Sequence, residues 1–284
     1  LWLGTIIFAA GMGVRFMLRT LRWELPGATV AAFSYALSPF LLHYGARISI
    51  ILLPFAGLPW LIGFTIRALR RGGWRDPAAF ALITLTVGGI NATSLLLVLV
   101  GPAMWVAYAL FAEREVTWGR VLAVGARIGS LTLISSLWWM AGLMLQGNYG
   151  IPILDYTETY KVVATASTAP EVMRGLGYWF FYGSDSLGPW ISGAVTMVQN
   201  PLVLTVSFLL PGLVVLSALF TRFRYRAYFV MMVVVGALIS IASHPYESPT
   251  PAGAIFKAAT GTDAGLAFRS TPRAIPLLAL GGAV

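Results

Sequence analysis

Long apolar stretches, nearly free of charge, constrain this chain more than any other feature. They run over roughly 1–17, 27–44, 48–67, 77–91, 94–111, 120–143, 201–220 and 227–243, and a further one begins near Ala274. A bilayer core takes about 20 mostly apolar residues per helix. The pattern therefore predicts an all-α, polytopic transmembrane bundle with about eight spans and the start of a ninth. The stretch 27–44 holds Ser38-Pro39 and ends at His43-Tyr44, and 77–91 is short, with Gly88-Gly89 before Asn91. Each of these two reads alternatively as a re-entrant or interfacial helix. Only 10% of residues are charged, against about 25% in soluble domains, which excludes a globule with an ordinary polar surface. The absence of cysteine excludes a disulfide scaffold and any thiolate-held metal. The chain begins inside one apolar run and stops inside another, so it reads as a fragment of a larger membrane protein.

Alternating the spans sorts the charges by side. Thirteen arginines, from Arg15, Arg19 and Arg22 to Arg222, Arg224 and Arg226, share one side with Glu24, Asp76, Glu113 and Glu115, a balance of +9. The other side carries Arg47, Lys161, Arg174, Lys257, Arg269 and Arg273 against six acids and is neutral. The positive-inside rule makes the first side cytoplasmic, and the basic pI then needs no nucleic-acid partner. Trp23, Trp74 and Trp118 near the cytoplasmic arginines, and Trp138 and Trp139 at an outer end, suit interfacial belts. Trp60 and Trp105 fall inside spans, as packing residues would.

Inner connections are short, whereas the outer segments 144–200 and 244–273 hold nearly all the outer polar groups, so a reactive site is expected to face outward. No Asp, Glu, Lys or His lies mid-span, and only Arg127 sits well inside a run, where it can snorkel. That pattern disfavours an ion-coupled transporter, which carries such groups as relays. STAPEVMRGLGYWFFYG from Ser167 offers Ser167 or Thr168 as a cap, Pro170 and an early Glu171, the start of a short amphipathic helix in the headgroup plane; a structured loop without lipid contact is the alternative.

Four outer constellations are candidates for chemistry. HYGARIS places Arg47 beside His43 and Tyr44, suited to a lipid-linked phosphate or to anchoring a helix end. FRSTPRAIP places Arg269, Ser270 and Arg273 ahead of the ninth helix, an anion site at a helix start or a headgroup contact. ILDYTETYKV spaces Asp155 and Glu158 three apart with Lys161 three further on, a base and orienter for a sugar hydroxyl or a solvated face with a salt bridge. SHPYESPTP holds His244 and Glu247 on an extended, proline-rich path. His43, Tyr44, Tyr178, Trp179, His244 and Glu247 are the residues expected to line the substrate. Asn91-Ala-Thr93 matches a glycosylation sequon but lies at a tight turn between helices. No glycine-rich phosphate loop, metal triad or Ser-His-Asp spacing occurs, and neither metal nor cofactor is expected.

The phrases SYALSPFLLHYGARISIILLPFAGLPWLIG, SLWWMAGLMLQGNYG, STAPEVMRGLGYWFFYG, SHPYESPTPAGAIF and GLAFRSTPRAIPL resemble the membrane domain of actinobacterial alpha-(1→3)-arabinofuranosyltransferases, over nearly the whole chain. The resemblance implies a GT-C fold with its site on the periplasmic side of the plasma membrane, decaprenylphosphoryl-arabinose as donor, and an arabinan of arabinogalactan or lipoarabinomannan as acceptor. GT-C enzymes generally carry the catalytic carboxylate in their first outer loop, and this chain is expected to begin downstream of it. The general base is thus expected upstream, Asp155 and Glu158 being the weaker candidates within the chain, and the fragment is expected to be inactive alone. On this reading Arg47, Arg269 and Arg273, with Ser270, converge on the donor phosphate. A lipid or glycan transporter and a non-catalytic envelope-assembly scaffold are the rival classes.

Overall fold

The computed structural model describes residues 1–23, 26–45, 47–152 and 156–284. The described residues form helices α1 (Trp2–Thr20), α2 (Gly27–Ala36), α3 (Phe40–Tyr44), α4 (Leu52–Arg71), α5 (Arg75–Gly88), α6 (Ala92–Val98), α7 (Val100–Ala107) and α8 (Trp118–Tyr149). They continue with α9 (Tyr160–Ala166), α10 (Ala169–Met173), α11 (Ser192–Gln199), α12 (Pro201–Phe220), α13 (Arg226–Ile241), α14 (Pro251–Ala259), α15 (Asp263–Leu266) and α16 (Ile275–Ala283). A two-residue antiparallel pair, β1 (Ser184–Asp185) with β2 (Gly188–Pro189), is the sheet content among them. The fold is all-α. Among the described residues five helical stretches are long and apolar enough to cross a membrane: Trp2–Thr20, Ser49–Arg71, Ala92–Ala112, Trp118–Tyr149 and Pro201–Phe220; Arg226–Ile241 is apolar but shorter. Along α12, Leu202, Leu209, Leu213 and Leu219 are exposed. Hydrocarbon, not water, suits so continuous an apolar face, and the chain is a membrane protein.

Local chemistry explains where the helices depart from the apolar runs. The stretch 27–44 is split into α2 and α3, because Pro39 has no N–H to donate and disfavours helical backbone at Ser38. The next weak stretch becomes α5, 14 residues long, which at 1.5 Å per residue falls short of a bilayer core of about 30 Å. α8 runs to Tyr149, six residues into the segment expected to be outer loop. The run from Ser167 yields only the five-residue α10: Gly175 and Gly177 take φ of +76° and +102°, a backbone that ends helices and favours glycine. The aromatics after it turn inward, with Leu176 and Phe181 packed on Ile191 and Ala194. No amphipathic surface helix forms there.

The chain divides into two compact units, Leu1–Leu37 with Ile50–Asp155, and Ser38–Ser49 with Tyr156–Val284. In the first, α1 packs on α4, and a Cβ on Gly13 would lie 2.6 Å from the Trp60 indole nitrogen. That indole donates to the Ala9 carbonyl at 2.9 Å and stacks on Phe16. Trp60 and the buried Trp105 are packing residues. Arg67 pairs with Asp76 at 2.9 Å at the arginine-rich end. Arg127 reaches back to the Gly73 carbonyl and covers the Trp74 ring, a snorkelling geometry. Asn91 accepts from the Ser94 N–H at 2.8 Å as the N-cap of α6.

In the second unit α13 packs on α16 at backbone contact. A Cβ on Gly236 would lie 2.6 Å from the Leu278 nitrogen, and one on Gly281 would lie 2.7 Å from the Phe229 carbonyl oxygen. α12 starts at Asn200, whose side chain accepts from Leu202 and Val203, with Pro201 in its first turn. The Thr271 hydroxyl donates to the Ser240 carbonyl and lies 3.1 Å from Ser243, which in turn meets Ser167. These bonds pin the segment ahead of α16 against α9 and α13.

Candidate functional site: a buried carboxylate between two arginines

Glu158 lies just before α9, whose N-cap Thr159 accepts from the Val162 N–H. From the other end of the unit, the segment ahead of α16 brings Arg269, Ser270 and Arg273 around it. Arg269 and Ser270 are buried, and the Glu158 and Arg273 side chains are 8% and 13% exposed. The Ser270 hydroxyl donates to Glu158 Oε1. Arg269 Nη2 stands 3.8 Å from Oε2, and Arg273 Nη2 stands 3.7 Å from Oε1. One carboxylate is thus shared by two guanidinium groups, and the cluster carries a net charge of +1.

The two arginines are used differently. Arg269 donates through Nε to the Glu158 carbonyl at 2.6 Å, through Nη1 to the Leu266 carbonyl at 2.9 Å and through Nη2 to the Thr157 hydroxyl. Each of its nitrogens is engaged in joining 157–158 to 266–269. Arg273 instead faces the phenol oxygens of Tyr44 and Tyr178 as well as Glu158. Burial alone would favour its neutral form, but its interactions with Tyr44, Tyr178 and Glu158 more than offset that and raise its pKa. Burial pushes the Tyr178 phenol up from its usual value, with Arg273 opposing, so Tyr178 offers a neutral hydroxyl.

Tyr44 and Tyr178 pack with ring centroids 4.9 Å apart, and His43 lies edge-on to Phe181 at 5.4 Å. His43 is fully buried, and neither of its ring nitrogens has a hydrogen-bond partner among the described residues.

The structure brings Arg269, Ser270, Arg273, Glu158, His43, Tyr44 and Tyr178 into one neighbourhood. Arg47 stands apart in character, exposed in the turn after α3. Asp155 lies outside the described residues. Glu158 lies before α9, outside any helix, rather than on a helix face with Lys161. Lys161 pairs instead with Glu247 at 3.1 Å, both side chains well exposed. His244 Nδ1 lies 2.9 Å from the Ala164 carbonyl oxygen, a bond that fixes the loop to α9.

A second polar hub has one sign in the sequence, the three-residue spacing of Glu171 and Arg174. Arg174, 2% exposed, binds Glu171 Oε1 at 2.6 Å, Ser207 Oγ at 2.7 Å and the Met197 carbonyl at 2.6 Å, and covers the Phe208 ring. The Tyr182 hydroxyl donates to the other Glu171 oxygen and accepts from the Gly177 N–H. Among the described residues no group of three or more His, Cys, Asp and Glu is placed to hold a metal.

The family described as "Alpha-(1->3)-arabinofuranosyltransferase, N-terminal GT-C domain" matches residues 1–280. An alpha-(1->3)-arabinofuranosyltransferase of Mycobacterium tuberculosis (strain ATCC 25618 / H37Rv) is 28% identical over 222 residues, 76% of this chain and 15% of that protein. Its namesake in Mycolicibacterium smegmatis (strain ATCC 700084 / mc(2)155) is 28% identical over 160 residues, 54% and 11% respectively. A cryo-EM structure of arabinofuranosyltransferase AftD from mycobacteria superposes with a TM-score of 0.67 at 18% identity, over 99% of this chain and 18% of that one. The fold is therefore shared, and the chain spans about 15% of the first of these relatives. With its match extending from the first residue almost to the last, the chain belongs to the family of alpha-(1->3)-arabinofuranosyltransferase N-terminal GT-C domains.

Proposed function

We propose that this chain is the donor-binding part of a multi-pass membrane arabinofuranosyltransferase, working on the periplasmic face of the plasma membrane. The donor is decaprenylphosphoryl-arabinose, and the acceptor is an arabinan of arabinogalactan or lipoarabinomannan. The observation that carries this reading is the buried pair of guanidinium groups around Glu158, in a chain of this family. A site with net charge +1, screened from water, suits a lipid monophosphate.

The reaction is a single displacement. The acceptor oxygen forms a bond to the anomeric carbon, the bond from that carbon to the phosphate oxygen breaks, the hydroxyl proton passes to a base, and the polyprenyl phosphate leaves with the bonding pair. Negative charge grows on the departing phosphate, so fixed cations there lower the barrier. Arg273, facing two hydroxyls, is assigned to the phosphate, with Tyr178 and Tyr44 as neutral donors beside it. Arg269 and Ser270 hold Glu158 and the 266–273 segment in place. Arg47, exposed after α3, is assigned to the approaching lipid headgroup. Glu158 is the carboxylate of this site, but its two cationic neighbours suit it to positioning better than to taking a proton.

The test is transfer from the radiolabelled lipid donor by the protein at its natural length. Arg273→Ala is expected to lower turnover by about 10²–10³-fold, the usual effect of removing one transition-state donor, with a smaller loss in Arg273→Lys. Unchanged rates in the alanine variants at 47, 269 and 273 would remove the donor assignment. Sidedness is tested separately by labelling Asp185→Cys in intact cells with an impermeant maleimide; labelling only after permeabilisation would reverse the orientation.

A further inference from the structure

A cavity of about 510 Å³ opens where the packed helices α1 and α4 end, and its lining includes Arg19, Arg22, Arg67, Arg70 and Arg71. That volume falls within the usual range for ligand cavities, roughly 300–1,000 Å³. Arg19 lies in the last turn of α1, and Arg70 and Arg71 lie in the last turn of α4. Both helices are long and apolar enough to cross a membrane, so the cavity stands at the level of the lipid headgroups. Two of the five cations are already engaged. Arg67 pairs with Asp76 at 2.9 Å, and Arg70 pairs with Glu115 at 3.3 Å while donating to the Thr20 carbonyl at 2.9 Å. Glu24 lies outside the described residues. Even when it is counted with Asp76 and Glu115, the five arginines leave a balance of +2.

The backbone at Arg22 is a second, independent sign. Arg22 follows Leu21, the C-cap of α1, with φ of +64°. Its N–H bonds the Arg19 carbonyl at 3.0 Å, and the Trp23 N–H bonds the Leu18 carbonyl at 2.9 Å, which closes the helix in the left-handed geometry that favours glycine. α4 does end on a glycine, Gly72, with φ of +75°. Arg19 already supplies the cation that the C-terminal dipole of α1 favours, so neither dipole nor backbone calls for an arginine at 22. A strained residue held in a cavity lining is a mark of function. From these features we infer that the cavity seats the headgroup of a phospholipid carrying two phosphate charges, with Arg19, Arg22 and Arg71 as its phosphate ligands. Guanidinium groups bind phosphate oxygens in pairs, the balance of +2 matches two phosphodiester charges, and basic pockets between membrane helices suit such headgroups. Phe16, one turn deeper in α1, is an apolar member of the lining, where acyl chains would enter the hydrocarbon. The inference is independent of the donor site.

The experiment uses the natural-length protein, stripped of lipid and held in a neutral detergent, with neither donor nor acceptor present. Fluorescent cardiolipin, phosphatidylglycerol and phosphatidylcholine are titrated in mixed micelles, and inorganic pyrophosphate is added as a soluble competitor. Cardiolipin, with two phosphates, is expected to bind tightest and to raise the melting temperature. Each arginine removed is expected to lower that affinity about fivefold, the weight of one cation near a membrane surface. Arg19→Gln, Arg22→Gly and Arg71→Gln combined are expected to lower it on the order of a hundredfold. Arg22→Gly alone separates binding from structure: in phosphatidylcholine micelles it is expected to melt at or above the parent temperature, because glycine suits the left-handed backbone. A lower melting temperature there would overturn the assignment by making Arg22 a structural residue. Unchanged cardiolipin affinity in the triple variant would overturn it too, as would equal affinities for cardiolipin and phosphatidylglycerol. Displacement of cardiolipin by pyrophosphate at equal concentration would replace the lipid with a soluble phosphate. Failure of the donor reading leaves all of these outcomes as they are.

Discussion

Arg174→Met is the substitution whose cost the structure defines best. The side chain is 1% exposed and paired to a Glu171 side chain that is 22% exposed. Methionine fills similar length but leaves the Met197 carbonyl without its 2.6 Å donor and Ser207 Oγ without Arg174 Nε. It also leaves a half-buried carboxylate without its cation. Removing one member of a buried pair costs about 3–5 kcal/mol. The lower end applies, because Glu171 keeps the Tyr182 hydroxyl and some water, and Ser207 still donates to the Leu204 carbonyl. A loss of about 3 kcal/mol lowers the melting temperature by roughly 6–12 °C for a unit of this size. Thermal unfolding in detergent, followed by intrinsic fluorescence, reads this directly. The double variant Glu171→Gln with Arg174→Met is expected to recover part of the loss, because the unpaired charge is gone. If Arg174→Met melts within 2 °C of the parent, roughly the shift of 1 kcal/mol or less, the reasoning about this hub is wrong.

Lys161→Met breaks a pair whose side chains are 65% and 77% exposed, so the melting temperature is expected to stay within the effect of about 1 kcal/mol at most. Gly236→Ala and Gly281→Ala insert a methyl against the backbone of the facing helix and are expected to cost about 1–3 kcal/mol each, whereas Gly212→Ala, with open space around it, should not destabilise. Burial, with a smaller contribution from Tyr246, pushes the Tyr160 phenol up to about 12. The folded chain then holds that proton where the unfolded chain has lost it, so stability falls as pH rises from 10 toward 12. Tyr160→Phe should flatten that decline in denaturant titrations across the range.

Much of the fold was legible because hydrocarbon sets a length and a composition for each helix. α12 matches its apolar run residue for residue, with Asn200 and Pro201 as visible start signals. The split at Ser38-Pro39 was also visible as a weakness in its run. What stayed hidden depends on tertiary neighbours: Gly175 and Gly177 gave no local warning that the aromatic stretch folds inward, and the partner of Lys161 turned out to be 86 residues away, as Glu247. Of the site, the Arg269-Ser270-Arg273 group could be found because cationic side chains are scarce on the neutral side. That Glu158 sits between those arginines could not, since the contact spans more than a hundred residues. Of the hub around Arg174 the sequence carries one local sign, the three-residue spacing from Glu171.

The second unit is assembled from two separated stretches, with Ser38–Ser49 taken from within the sequence of the first. His43 and Tyr44 are made early, yet the ring they rest on, Tyr178, comes roughly 135 residues later. At about 5–20 residues per second of synthesis, that short segment waits on the order of ten seconds or more before its pocket exists. Throughout that interval a histidine, a tyrosine and Phe40 remain uncovered on the ribosome-bound chain, which makes α3 the stretch where a chaperone or insertase would find its handle.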